Sequence, residues 1–279
     1  MQSFQLCAFA DEADSALSGQ IEAMKENQIP FLEIRRVGGK NISKVSCDEA
    51  MEIKKELDAH NIRVWSIGSP TGKVSIKEPF APHLQEFCHM LDLAKILGAT
   101  HYRLFSFFDT DGDVSYEPEV IERLACMVEK ATGQDIVLCH ENEKDIYGDT
   151  AARCLCIHQA LPSIKAIFDP ANFIQCDEDV PAAWNMLKPY VEYIHVKDAL
   201  ENGQVVPAGN GIGHIPMILA DMKEKGCTLS LEPHLSRFVG LEDLERGSVD
   251  HVSFSYPTQR AAFDGAADAL KKVLQEVVG

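Results

Sequence analysis

The sequence predicts an α/β protein with a single-domain (β/α)8 fold, the TIM barrel. Three observations point there. Short apolar runs alternate eight times with segments of helical spacing, which marks parallel βαβ units. The 279 residues match the roughly 250 usual for a closed barrel, with none to spare for a second fold. No Gly/Ser/Pro-rich linker or low-complexity tract interrupts the alternation, so residues 1–279 read as one domain. A doubly wound open sheet uses the same alternation and is the competing arrangement.

Taken in order, the run FQLCAFA (4–10) precedes ADSALSGQIEAMKENQ, where Leu17, Ile21 and Met24 fall on one helical face. PFLEIRR (30–36) leads to SCDEAMEIKKELDAHN, with Met51, Ile53 and Leu57 as its apolar face and Ser46 as its N-cap. RVWSIGS (63–69) is followed by the longer PFAPHLQEFCHMLDLAKILG, whose Gly98 suits the left-handed position that closes a helix. HYRLFSF (101–107) leads to SYEPEVIERLACMVEKATG, which also stops at a glycine, Gly133. DIVLCHE (135–141), KAIFDPA (165–171), EYIHVKD (192–198) and TLSLEPH (228–234) complete the strands. Their helices are DTAARCLCIHQAL, VPAAWNMLKPY, HIPMILADMKEKG and QRAAFDGAADALKKVLQEVVG. Two connections are long, 201–214 and 235 to about 258. Such loops act as lids or binding loops, or as contacts between copies in a homo-oligomer.

Composition weighs against several classes. A net charge of −17 opposes non-specific binding to nucleic acid or to an anionic membrane, both of which want a basic surface. No run approaches the roughly 20 apolar residues of a membrane span, and MQSFQLCAFADEAD has no basic leader region. The nine cysteines include no C-x-x-C pair, which suits free thiols in a reducing cytoplasm.

Function is legible at the strand ends. In a parallel barrel the C-terminal ends of the strands share one rim, where chemistry is built. The stretch IVLCHENE (136–143) runs from buried-strand residues straight into polar ones, a costly exit unless the polar groups have a task. Strand five ends in Glu141, strand six in Asp169, strand seven in His195 and strand eight in Glu232. Three carboxylates brought together repel one another, and a divalent cation removes the repulsion. Three carboxylates and one imidazole suit Mn²⁺, Mg²⁺, Co²⁺ or Zn²⁺ with positions left open for substrate.

The order Glu141, Asp169, His195, Glu232, with FDPAN and HVKDA around it, resembles the xylose-isomerase-like TIM-barrel superfamily. Within it, the nearest likeness is to bacterial sugar phosphate isomerase/epimerase proteins, and SPTGK (69–73), RLFSFF (103–108) and HENEKDIYGDT (140–150) add to it. The resemblance implies one divalent metal, commonly Mn²⁺, on those four residues. It also implies that Glu141 and Glu232 form the acid/base pair of a ketose or sugar phosphate isomerase or epimerase. Asn172 stands where ketose 3-epimerases of the superfamily carry a substrate-touching histidine, and Glu201 where they carry an arginine.

The chemistry fits. Removing a proton beside a carbonyl creates an enediolate that a Lewis acid stabilises, while two carboxylates exchange the proton. The expected substrate is a small carbohydrate, met by Glu33, Lys73, Arg103, Asn172, Lys197 and His234. Arg103 and Lys73 suit an anionic group such as phosphate, and Glu33 suits a hydroxyl or a buried pair with Arg103 or Arg35. Lys197 lies two residues past His195 and so shares its side, where it would polarise a substrate oxygen or pair with a carboxylate. SPTGK lacks the phosphate-loop spacing, and the glycines of 209–213 follow strand seven, so neither is a nucleotide fingerprint. Three rivals remain: a dehydratase of a cyclic polyol-derived ketone on the same barrel, a non-catalytic sugar-binding barrel, and an endonuclease IV-type nuclease. Asn172 and the acidic surface argue against the last.

Overall fold

The computed structural model describes residues 4–241 and 256–279, so most of the second long connection lies outside the described residues. Eight parallel strands close into a barrel. They are β1 (Gln5–Ala8), β2 (Phe31–Ile34), β3 (Arg63–Ile67), β4 (His101–Leu104), β5 (Val137–Glu141), β6 (Lys165–Phe168), β7 (Val191–Val196) and β8 (Thr228–Leu231). Each pairs with its sequence neighbours, and β1 pairs with β8 to complete the ring. The open-sheet alternative is thereby excluded.

The helices are α1 (Leu17–Glu26), α2 (Cys47–Ala59), α3 (Phe80–Leu97), α4 (Glu117–Ala131), α5 (Ala151–Ala160), α6 (Pro170–Gln175), α7 (Val180–Leu187), α8 (Ile215–Met222) and α9 (Gln259–Val278). Local chemistry sets their ends. Ser46 and Glu49 form a reciprocal capping box at the start of α2, and Gly98 closes α3 with φ +74°. One expected face is corrected: Met51 is 51% exposed, and α2 buries Ala50, Ile53 and Leu57 instead. Positions 50, 53 and 57 follow the helical period, whereas 51 is turned about 100° away. The short α6 begins inside the run KAIFDPA (165–171) that reads as a strand, taking Pro170 and Ala171 from it.

The main apolar core lies between strands and helices. Inside the barrel, a layer of Cys139, Ile167 and Tyr193 fills the middle. The Tyr193 hydroxyl reaches Glu33 Oε1 (2.7 Å) and Ser66 Oγ (3.3 Å) on the far wall, which identifies these side chains as interior. Polarity therefore grows toward the C-terminal rim.

Candidate metal centre and active site

Strand alternation decides what each motif offers. In HENE, His140 turns outward onto His158 of α5 (ring centroids 5.9 Å apart), and Glu141 turns inward. Asn142 stitches the ends of β5 and β6: its amide accepts from Asp169 N and donates to Asp169 O, both at 2.9 Å. In FDPAN, Asp169 is the N-cap of α6. Its Oδ1 accepts from Asn172 N at 3.0 Å, and Pro170 takes the position where a missing N–H costs nothing. In HVKDA, His195 and Lys197 face the interior, while Asp198 accepts from the backbone N–H of Ala199, Gly209, Gly211 and Gly213. The glycine-rich stretch thus cradles the chain's own carboxylate. A Cβ at Gly211 would meet Ala199 O at 2.3 Å.

Glu141, Asp169, His195 and Glu232 converge. Each offers a ligand atom, those atoms all lie within 4.8 Å of one another, and every one of the residues is buried. His195 Nδ1 is 2.9 Å from Glu141 Oε1 and 3.5 Å from Glu232 Oε2. Asp169 Oδ2 lies 2.9 Å from Lys197 Nζ but off the hydrogen-bonding direction. Burial pushes the Asp169 carboxyl up; Lys197 opposes this, Glu232 and Glu141 add to it, and the result is about 7. Burial works against charge on His195, yet Glu141 and Glu33 on either side raise it to about 10. Such a crowd of acids around one imidazole fits a divalent cation by the chemistry of its donors.

Two cations pair with the carboxylates of this group. Arg103 donates to Glu141 Oε2 (3.0 Å) and to Gly68 O (3.2 Å), and lies 3.7 Å from Glu232 Oε1. Lys197 donates to Glu232 Oε2 at 3.2 Å. The carboxylate pair read for Lys197 is present, with Glu232 and Asp169. Asn172 Nδ2 donates to Asn142 O (2.9 Å) and, more loosely, to Glu141 Oε1 (3.4 Å). Lys73 sits farther out, 2.8 Å from Glu143 Oε2 and over the Phe105 ring. Burial raises the Glu143 carboxyl, but Lys73, Lys197 and Lys144 outweigh it and leave it lowered, a sign that these three ammonium groups are near.

Glu33 and His234 are both held by the protein's own groups. Glu33 is 0% exposed and hydrogen-bonds to Tyr193, Ser230, Ser66 and His195 below the cluster; neither Arg35 nor Arg103 is its hydrogen-bond partner. Arg35 turns instead to Asp11 (2.8 Å), Glu12 (3.1 Å) and Glu232 (2.9 Å). His234 has φ +47°, donates its backbone N–H to Glu12 Oε2 (2.7 Å), and brings Nε2 to 3.5 Å from Glu12 and 3.7 Å from Glu232. Asp11 and Glu12 were missed by sequence reasoning, as was the pairing of Arg35 with them. The rule that found Glu141 would have found them had it been applied to the ends of β1 and β2.

A family model of the xylose isomerase-like TIM barrel matches residues 21–256. No curated protein matches by sequence. Among solved structures, the fold is similar to that of the IOLI protein with a binding zinc atom (TM-score 0.74, 15% identity, 98% of this chain and 99% of that one). It is similar to D-psicose 3-epimerase in the presence of D-fructose (0.72, 17%, 99% and 100%). It is also similar to the probable 3-DHS dehydratase AsbF involved in petrobactin synthesis, from Bacillus anthracis (0.72, 14%, 97% and 99%). Identities this low establish a shared fold, not a shared substrate.

Proposed function

Because the chain belongs to the xylose isomerase-like TIM barrel family, we propose that it is a metal-dependent isomerase or epimerase of a ketose or sugar phosphate. One observation carries this reading: three carboxylates and an imidazole, all buried, bring ligand atoms within 4.8 Å at the rim. Glu141, Asp169, His195 and Glu232 would hold the ion, with Mn²⁺ the first choice and Mg²⁺, Co²⁺ or Zn²⁺ the alternatives. Bound there, a divalent cation supplies Lewis-acid polarisation of a carbonyl.

The protein's own groups do the rest. Glu141 on β5 and the residue after β8, Glu232, approach the cluster from different walls. One takes the proton from the carbon beside the carbonyl, leaving an enediolate; the other returns a proton to the opposite face or to the neighbouring carbon. Arg103 steadies Glu141, while Arg35 and Lys197 steady Glu232. Burial raises the Glu232 carboxyl, but Lys197, His234, His195 and Arg35 together hold it well below the usual carboxylate range, so it stays ionised. Lys73 at the mouth and Arg103 beside the cluster supply charge for an anionic substrate group.

Incubation with Mn²⁺ and a panel of ketoses and sugar phosphates in D₂O tests the proposal. Metal-dependent deuterium at the α-carbon is expected; no label with any of them overturns it.

A dehydratase is the second reading. Glu201 is exposed, just past the strand pair Asp198–Ala199 and Val205–Val206, so that position brings no basic group to the substrate as it does in ketose 3-epimerases. Product mass separates the two, since dehydration removes one water.

A further inference from the structure

Beneath the cluster lies a buried carboxylate to which the proton-transfer scheme gives no task. Glu33 is 0% exposed, and the register between β2 and β3 slips by one residue just before it. Its Oε1 accepts from Tyr193 Oη (2.7 Å) and Ser66 Oγ (3.3 Å), and its Oε2 accepts from Ser230 Oγ (2.6 Å). The remaining contact is to His195, whose Nε2 lies 3.2 Å from Oε2.

An ionised carboxylate can only accept, so the proton at this contact belongs to His195 Nε2. That leaves Nδ1, the atom facing Glu141 and Glu232, as the nitrogen with a lone pair to give when the ring is neutral. Phe9 and Tyr193 confine the ring, with centroids 5.2 and 5.5 Å away. Three hydroxyl donors would be served as well by a neutral acceptor, whereas a charge buried this deeply is costly unless it has a partner of its own.

We propose that Glu33 is a positioning residue that fixes the Nε2–H tautomer and the orientation of His195, presenting Nδ1 to a divalent cation. The inference rests on the metal reading above. Carboxylates that hold the far nitrogen of a ligating histidine typically contribute about 10–100-fold to metal affinity.

Mn²⁺ titration followed by electron paramagnetic resonance, with wild type and Glu33→Gln compared, gives the first test. The variant should bind about 10–100-fold more weakly, while Ser230→Ala, which removes only a hydroxyl from Glu33, should stay within about threefold. The ¹⁵N signals of His195 in Zn²⁺-loaded wild type give the second, with the proton on Nε2 and the metal-shifted signal on Nδ1. Glu33→Gln binding Mn²⁺ as tightly as wild type overturns the inference and leaves the metal reading standing. Wild type that binds neither ion overturns both. Should Glu33→Gln fail to fold, the wild-type spectrum decides, and a proton on Nδ1 overturns the assignment.

Discussion

Two buried groups of acids with a histidine share one residue, Glu232. The first joins it to Glu141, Asp169 and His195; the second joins it to Glu12 and His234. Residue types and spacing are alike, yet the groups are filled differently. In the second, the Arg35 guanidinium bonds Glu12 Oε1 and Glu232 Oε1 directly and adds Asp11. In the first, Arg103 bonds Glu141 Oε2 and Lys197 bonds Glu232 Oε2, while His195 Nδ1 faces Glu141 Oε1 and that same Glu232 oxygen. The histidines respond accordingly. His195 is driven up to about 10 despite burial, whereas burial, with Lys197 and Arg35, holds His234 well below its ordinary value against the pull of Glu232. One guanidinium bridges both acids of the second set, whereas the three acids of the first are shared between Arg103 and Lys197.

The largest contrast should appear in proton transfer. Glu141→Gln is expected to slow metal-dependent deuterium labelling by about 10²–10⁴-fold, while Glu12→Gln changes it by less than about tenfold; equal losses would break the distinction. Next is stability. Arg35→Met leaves Asp11, Glu12 and Glu232 without their shared cation, and urea unfolding should show a loss of about 3–5 kcal/mol. Excess Mn²⁺ should restore part of that loss by supplying charge to the same acids, and a variant as stable as wild type would deny the guanidinium its role.

Metal affinity sharpens the comparison further. His195→Ala should weaken Mn²⁺ binding by more than about 100-fold, above the range of changes behind a ligand, whereas His234→Ala should stay within about threefold; calorimetric titration decides. The smallest effect concerns histidines with no acid beside them. Burial is the main cause that pushes His158 of α5 down to about 4, with Lys165 adding and the Ile164 carbonyl opposing. The unfolded chain therefore takes up that proton first, so this contribution is whole above about pH 6.5 and fades as pH falls toward 4. Between pH 7 and 5, wild type should lose on the order of 2 kcal/mol more than His158→Phe in urea unfolding.

How much of this could be read in advance depended on range. Strands and helices follow periods of two and about 3.6 residues, and so the barrel and the rim positions of Glu141, Asp169, His195 and Glu232 were legible. Met51 misled because an apolar residue one step off the stripe looks the same in a sequence. The α6 helix was hidden because Asp169 both ends a strand and caps a helix six residues long. Partner choice was not legible at all. Arg35 meets Glu232 across 197 positions, and Glu33 meets His195 across 162, contacts that exist only once the barrel has closed. The reading of the connection from 235 to about 258 as a lid, a binding loop or a contact between copies falls mostly on residues 242–255, outside the described residues.

The cradle around Asp198 leaves a trace that a plain text search can use. Its spacing is D-x10-G-x-G-x-G, and the aspartate directly follows Lys197. A methyl group at Gly211 or Gly213 would strike Ala199 O at 2.3 Å or Asp198 Oδ1 at 2.6 Å, so drift at either place should dislodge the strand pair and, with it, the neighbouring Lys197. Sequences that carry this signature after an H-V-K strand are therefore the ones in which to look for the same lysine aimed at the same carboxylates.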